Sequence, residues 1–532
     1  MSQSYSILRS ARTISLATLA SRTLGLVRDI ACASSFGSGL VWDAFGISFM
    51  LPNLFRRLFG EGALSAAFIP VFSEYLEKDG EDEAWRAASA CFLFIATVLL
   101  GLVIIGEGGL IFLSRFPLSP KYALAVRLLM VLWPYLFFIC LVALLAALLQ
   151  SLKNFLIPAL APIVLNLCWI AGVILIAPRM GGVSERQIFG VAGAILVAGF
   201  LQLAMQAVVL MRRGARLTLF HPFYWQALKR VFLLMGPMLA GLAALQVNVL
   251  SDWAIAFFLV KGEGAVSALY WGNRLMQFPL ALLGIAMATA AFPTFSTLAA
   301  RGDLWGLGRE AKKALRFTFF LAFPAGIGLC VLAPPIIRLF FQWKNFDAVA
   351  TDRAARVLIF YSLGIWAYSA VHILNRALYS LKDTRTPVRI AVGMMCANLA
   401  LNLILVWPLK EAGLALATAI THSAQAVFLY LAFRSKVAIP EEKALWHSLG
   451  RALFAAAVMG IMTYFAATTF PVGLAERPAG LILVGRIAAL GLPLLGGFVT
   501  YFAVAYFLKA PELGELVGLF RKSPPKTRNS ND

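Results

Sequence analysis

Charge is the scarcest resource in this sequence: 13% of the 532 residues are charged and 61% are hydrophobic, whereas soluble globular domains carry roughly 25% charge. So little polar surface excludes a water-soluble fold and makes a membrane protein the starting class. No stretch is polar enough and long enough for a separate soluble domain. Acids are rarer than bases, 25 against 46, leaving a formal charge of +21. In a soluble chain that excess would suggest nucleic acid. Here the Lys and Arg sit in short loops between apolar runs, a pattern of membrane topology, so no nucleic-acid partner is expected. The four histidines (His221, His372, His422, His447) share no metal spacing, and neither a Walker-type phosphate loop nor an HExxH motif occurs. An ATPase and a metalloenzyme are thereby excluded, with no metal and no catalytic residue expected. The six cysteines form no CxxC pair and read as small buried hydrophobes. A cleavable signal peptide would need an unbroken apolar core, but Arg22, Arg28 and Asp29 interrupt the first one, which reads as a retained helix.

Apolar windows of about 20 residues, the length that crosses a ~30 Å hydrocarbon core, recur from end to end. They give about fourteen spans between 11 and 510, the first over 11–36, the second over 41–76, the seventh over 224–258 and the eighth over 264–298. Pro52 lies inside the second span and predicts a kink whose freed backbone groups face protein or water. Basic loops follow the even-numbered spans: Arg212, Arg213, Arg216, Lys229 and Arg230, then Arg301 to Arg316, then Lys382, Arg385 and Arg389. Together with Arg9, Arg12 and the tail bases Arg521, Lys522, Lys526 and Arg528, they place both termini in the cytoplasm. One loop, 337–356, argues the other way with Arg338, Lys344, Arg353 and Arg356, and is read as noise.

The chain repeats itself. Leu149-Gln150-Ser151-Leu152-Lys153-Asn154 followed by Pro158 matches Leu378-Tyr379-Ser380-Leu381-Lys382-Asp383 followed by Pro387, and Ala67-Phe68-Ile69-Pro70 matches Ala291-Phe292-Pro293 at nearly the same offset. Six spans per half make the halves parallel repeats with a cavity expected between them. The division predicted is 1–215 for one six-helix lobe, 216–437 for the second, 438–510 for helices thirteen and fourteen, and 511–532 for a basic tail.

The chemistry lies in charge placed where the bilayer disfavours it: Arg22, Arg28 and Asp29 in span one, Asp43, Arg56, Arg57 and Glu61 in span two, and Arg274 in span eight. Each Arg at a helix centre costs about 2.5 to 3.5 kcal/mol, so a group of them must face water, partners or ligand. Two readings stand side by side. In one, Arg28, Asp29, Asp43 and Arg56 form ion pairs between helices. In the other, which the residue type favours, they line a path for an anion, because a guanidinium grips phosphate oxygens bidentately and stays charged when desolvated. Arg127 and Arg376 lie nearer helix ends and are read as snorkelling, while Arg486 finds no place in either reading. Gly25, Gly37, Pro52, Pro134, Pro279, Pro293 and Pro324 suit helices that pack closely or hinge.

At these residues the sequence resembles the MurJ (MviN) lipid II flippases of the multidrug/oligosaccharidyl-lipid/polysaccharide exporter superfamily. The resemblance runs through nearly the whole length. It is carried by Ser21-Arg22-Thr23-Leu24-Gly25 with Arg28-Asp29, Asp43-Ala44-Phe45, Leu51-Pro52-Asn53-Leu54-Phe55-Arg56-Arg57 with Glu61-Gly62-Ala63, Asn273-Arg274-Leu275-Met276-Gln277-Phe278-Pro279, and Lys382-Asp383-Thr384-Arg385-Thr386-Pro387. It implies an all-α polytopic bacterial inner-membrane protein, monomeric, that moves lipid II (undecaprenyl-pyrophosphate-linked disaccharide pentapeptide) to the outer leaflet by alternating access. It further implies that Arg22, Arg28, Arg56 and Arg274 receive the pyrophosphate, with Asp43 important, Gln277 where some relatives carry Glu, and the last two helices forming a groove for the polyprenyl tail among membrane lipids. Some relatives resemble sodium-binding transporters; the matching positions are Asp252, Asn398, Asn402 and Thr418, with Asn402 where an acid is usual. With no cofactor implied, the work falls to a sodium gradient or to the membrane potential, worth ~2.3 kcal/mol per charge per 100 mV. On this reading Arg28→Ala or Arg274→Ala abolishes transport and leaves the protein folded. The alternatives are a multidrug or cation antiporter of the same fold, which would want acids in its cavity, a flippase for another polyprenyl-linked oligosaccharide, and a glycan-processing membrane enzyme, which would want a catalytic acid on a long outer loop.

Overall fold

The computed structural model describes residues 2–58, 64–215, 224–469 and 479–521. Glu61, Arg216, His221 and the tail bases Lys522, Lys526 and Arg528 lie outside them.

Runs of Leu, Ala, Ile, Val and Phe broken by Gly and Pro fold into helices, and no strand occurs among the described residues. The helices gather into two compact units, one of residues 1–267 with 343–347, the other of 268–342 with 348–532. The first contains α1 (Ser2–Phe36), α2 (Leu40–Phe55), α3 (Leu64–Lys78), α4 (Glu81–Leu113), α5 (Pro120–Leu132), α6 (Tyr135–Ser151), α7 (Leu156–Ala171), α8 (Ser184–Arg212) and α9 (Trp225–Phe258). Helix α10 (Ala265–Pro279) starts in the first unit and continues into the second. There follow α11 (Ala286–Ala300), α12 (Leu304–Phe340), α13 (Ala348–Ser362), α14 (Ile365–Ser380), α15 (Arg385–Leu409), α16 (Glu411–Arg434), α17 (Glu442–Thr469), α18 (Ala479–Phe507) and α19 (Pro511–Arg521).

Among the described residues ten helical stretches are long and apolar enough to cross a membrane, and eleven if α13 and α14, bent by 43° at their junction, form one span. The predicted spans one, two and seven fall on α1, on α2 with α3, and on α9, which this count does not include. Charge is the reason in α1. In the second span the helix runs through Pro52 and stays helical to residue 58, and α2 and α3 have only 16 and 15 residues.

The repeated motif proves to be a helix stop. Lys153 and Lys382 both take φ 59°. Asn154 N–H donates to the Leu149 carbonyl at 2.8 Å and Lys153 N–H to that of Gln150 at 2.9 Å, while Asp383 and Lys382 repeat the pattern on Leu378 (3.1 Å) and Tyr379 (2.9 Å). Each is a left-handed C-terminal cap that consumes two orphan carbonyls. In the second copy Lys436 and Thr386 bond the Asp383 side chain and hold its carboxyl well below the usual carboxylate range.

The second unit packs α11, α12, α14, α16, α17 and α18 around Phe320, Leu374, Phe433 and Tyr501, whose hydroxyl donates to the Phe320 carbonyl at 2.5 Å. Helix α19 docks through Glu512, 2% exposed, which accepts from Arg316 Nη2 and Ser448 Oγ, each at 2.5 Å. The loop read as noise finds its balance here, since Arg353 pairs at 2.6 Å with the buried Glu411 at the start of α16. Arg486 finds its place as well. From α18 it donates to the carbonyls of Arg338 (3.0 Å), in the last turn of α12, and Gln342 (2.7 Å), just beyond it, so it is a cationic cap on a helix C-terminus. Arg486→Met is expected to cost about 2 kcal/mol, the scale of losing charged hydrogen bonds, and to lower the thermal unfolding temperature without removing any cavity group.

Candidate functional site

The four arginines marked by the sequence occupy different surroundings. Arg28 is committed. Its Nη2 lies 2.7 Å from Asp29 Oδ1, its Nη1 donates to Asn166 Oδ1 at 3.0 Å, and its guanidinium stacks 4.4 Å from the Trp169 ring. Asn166 in turn donates to the Ser21 carbonyl at 2.9 Å, knitting α7 to α1. Asp29 is fully buried and its ion pair with Arg28 lies within α1, so Arg28→Ala would strand a buried carboxylate as well as remove the tie to α7.

Arg22, six residues earlier on α1, is exposed and forms no ion pair or hydrogen bond with other described residues. It opens on a cavity of about 460 Å³. Arg56 is half-buried and donates from Nε to Asn53 Oδ1 at 2.7 Å, and Arg57 reaches Gln246 Oε1 of α9 at 3.3 Å. Arg274 lies half-buried on α10 in the second unit, where Gln277 is exposed and donates to Asn273 Oδ1 at 2.5 Å.

Asp43 has a position of its own. Fully buried on α2, it accepts from Gly264 N–H at 2.6 Å, Ser267 N–H at 2.8 Å and Ser267 Oγ at 2.6 Å. Those are the donors at the beginning of α10, so a carboxylate caps the helix that carries Arg274. Two further ties lie near it. Glu263 accepts from Leu40 N–H at 3.2 Å, and Lys121 donates to the Phe257 carbonyl at 2.7 Å. A third involves residues 343–347, between α12 and α13, which belong to the first unit. Asn345 donates to the carbonyls of Ser34 (main chain, 3.2 Å) and Ser35 (side chain, 2.6 Å), and Phe346 is buried. Gly37 takes φ +65°, and a Cβ there would stand 2.3 Å from the Asn345 carbonyl oxygen, so glycine is required twice over.

The residues matched to a cation site divide. Asn398, Asn402 and Thr418 meet in the second unit: Asn402 Nδ2 donates to Asn398 Oδ1 at 2.9 Å, and Asn398 Nδ2 to Thr418 Oγ1 at 3.4 Å and to Thr421 Oγ1 at 3.2 Å. Asp252, buried on α9, belongs to the first unit. The cluster itself offers only neutral oxygens, several already accepting from the Asn398 and Asn402 amides, a poor fit to a hard cation without a carboxylate. A larger cavity of about 860 Å³ in the first unit is lined by charges that pair among themselves, such as Lys78 with Glu74 at 3.0 Å.

Sequence reasoning missed Asn166, Trp169, Glu263, Ser267 and Asn345. Each acts across a sequence separation that no periodicity reports.

Among the described residues, apolar helices long enough to cross a membrane, with Arg22 opening on a cavity and buried charges capped, define a multi-span membrane protein of transporter type. The same fold occurs in an inward-facing multidrug resistance MATE family transporter of the MOP superfamily, at TM-score 0.66 and 14% identity over 80% of this chain and 95% of that one. It is closer to a lipid II flippase MurJ in an inward closed conformation, at TM-score 0.77 and 24% identity over 95% and 99%. The family model described as lipid II flippase MurJ matches residues 32–476. A probable lipid II flippase MurJ of Rhizobium tropici is 31% identical over 528 residues, 98% of each chain. The chain belongs to the MurJ lipid II flippase family.

Proposed function

We propose that this protein is a bacterial inner-membrane flippase that carries lipid II from the cytoplasmic to the outer leaflet, binding its pyrophosphate on cavity arginines. The observation that carries this reading is Arg22: a guanidinium on an apolar helix, with no ion pair or hydrogen bond to other described residues, at the edge of a cavity. Family membership supports the substrate. Arg56 and Arg274 complete the cationic set as the two six-helix lobes, 1–215 and 216–437, alternate in access; Arg28 keeps α1 and α7 together beneath it.

Asp43 on the start of α10, Glu263 on the start of α2 and Asn345 on the end of α1 tie elements of the first unit to one another, so these helix ends travel together in any alternation. The distribution of basic loops supports an arrangement with these ends outside and both termini cytoplasmic. Helices α17 and α18 take the polyprenyl tail. No bond is made or broken in the substrate, and the protein works as a monomer.

The driving force is the membrane potential, acting on a multiply charged complex. Sodium is the weaker alternative, because Asn402 stands where an acid would complete Asp252, Asn398 and Thr418. In proteoliposomes with fluorescent lipid II, flipping should follow an imposed potential and stay unchanged when potassium replaces sodium. Asn402→Asp should introduce a sodium-dependent rise in thermal stability. Vesicles holding the wild-type protein that flip no faster than empty ones would refute the function. A multidrug or cation antiporter is disfavoured by the sign of the open charge.

A further inference from the structure

The cap that ends α6 places one side chain that neither the fold nor the proposed pyrophosphate contact uses. Both copies of the repeated motif fix the same turn, and the residue whose carbonyl accepts from the left-handed lysine is Gln150 in the first copy and Tyr379 in the second. Its backbone is locked while its side chain stays out of the cap. In the first copy that residue lines the 460 Å³ cavity on which Arg22 opens, with Ser21 beside it and a wall of Phe155, Pro158 and Pro162. Neither Arg22 nor Gln150 spends its side chain on another described residue. The volume falls within the ~300–1,000 Å³ of sites that bury small ligands.

Three chemistries therefore meet in one small space. A guanidinium fork suits phosphate oxygens. A primary amide offers two donors and an acceptor, and it matches the N–H and carbonyl of another amide reciprocally. An aromatic ring and two proline rings make a stiff apolar wall, suited to the C–H face of a pyranose. Phosphate, amide and pyranose together describe an N-acetylated glycosyl diphosphate. A residue that reads such a group must start from a fixed position, and the cap's hydrogen bond from Lys153 N–H to the Gln150 carbonyl fixes its main chain without engaging its amide side chain.

We propose that Gln150 is a specificity residue that reads the acetamido group of the sugar joined to the diphosphate, while Arg22 holds the diphosphate itself. The inference rests on the flippase reading above and deepens it, adding a sugar subsite between α1 and the start of α7.

The test is equilibrium binding by the full-length protein in nanodiscs of three probes: lipid II, undecaprenyl diphosphate bearing a plain glucose, and undecaprenyl diphosphate without sugar. Gln150→Met keeps side-chain length and the main-chain cap, so folding is preserved, which an unchanged unfolding temperature verifies. It is expected to weaken lipid II about 5- to 30-fold, the scale of an unpaired amide group, and to leave the two other probes unchanged. Arg22→Ala is expected to weaken all three. A Gln150→Met protein that binds lipid II like wild type, or loses affinity equally for all three probes, overturns the sugar subsite while Arg22 still reports on the diphosphate. Should Arg22→Ala bind every probe normally, the diphosphate contact fails, and with it the reading on which the subsite depends.

Discussion

Arg22→Ala is expected to slow lipid II flipping in proteoliposomes by roughly 10- to 150-fold, the equivalent of one or two charge-assisted hydrogen bonds to phosphate. Its unfolding temperature should stay within a degree or two of wild type. The reason is that Arg22 forms no ion pair or hydrogen bond with other described residues, so removing it strands no partner. Arg22→Lys keeps the charge and loses the planar fork, so it should fall between the two. Arg28→Ala makes the informative contrast. It leaves Asp29 buried without its cation and should destabilise the protein by about 3 to 5 kcal/mol, so that lost activity there would report lost structure. Comparing flipping rate with thermal unfolding for both variants separates a ligand-binding arginine from a helix-pairing one. Equal destabilisation of the two would contradict the assignment.

The second large effect belongs to Asp43. Asp43→Ala removes a fully buried carboxylate and leaves the N–H groups of Gly264 and Ser267 and the Ser267 hydroxyl without their acceptor. Each buried polar group so orphaned costs about 1 to 3 kcal/mol, so a loss of 3 kcal/mol or more is expected. Thermal unfolding in detergent reads it as a drop of several degrees. Asp43→Asn should retain part of the stability, because one amide oxygen still accepts. Since the cap sits at the start of the helix bearing Arg274, the same variants should also broaden the conformational distribution of α10, read by spin labels along it. A variant with wild-type unfolding and wild-type α10 would show that the cap fixes nothing.

How much of this was legible beforehand depends on the range of the interaction. The membrane class and the duplicated motif follow from composition and local pattern, and the structure shows the motif's physical meaning as a pair of identical helix caps. The intramembrane charges were also plain, because hydrophobic segments make any Arg conspicuous. What could not be read was which charge is satisfied. Arg28 has its remaining donor and its guanidinium face occupied because Asn166 and Trp169 sit on a helix about 140 residues away in sequence. Asp43 is a cap because Ser267 arrives from 224 residues away. Arg486 and the basic loop after α12 looked anomalous for the same reason, since their partners are distant carbonyls and the single carboxylate Glu411. Neutral residues such as Gln150 carried no signal at all: an amide at a helix end is ordinary until a cavity is found beside it.

The account turns on whether cationic side chains hold the phosphates of the lipid carrier. Native mass spectrometry of the purified protein with undecaprenyl diphosphate and undecaprenyl monophosphate measures that directly, comparing wild type with the Arg22→Ala/Arg274→Ala pair. Wild type should retain the diphosphate lipid well above the monophosphate, and the paired variant should lose that preference while still carrying ordinary phospholipid. A paired variant that keeps the full preference for diphosphate would contradict the account.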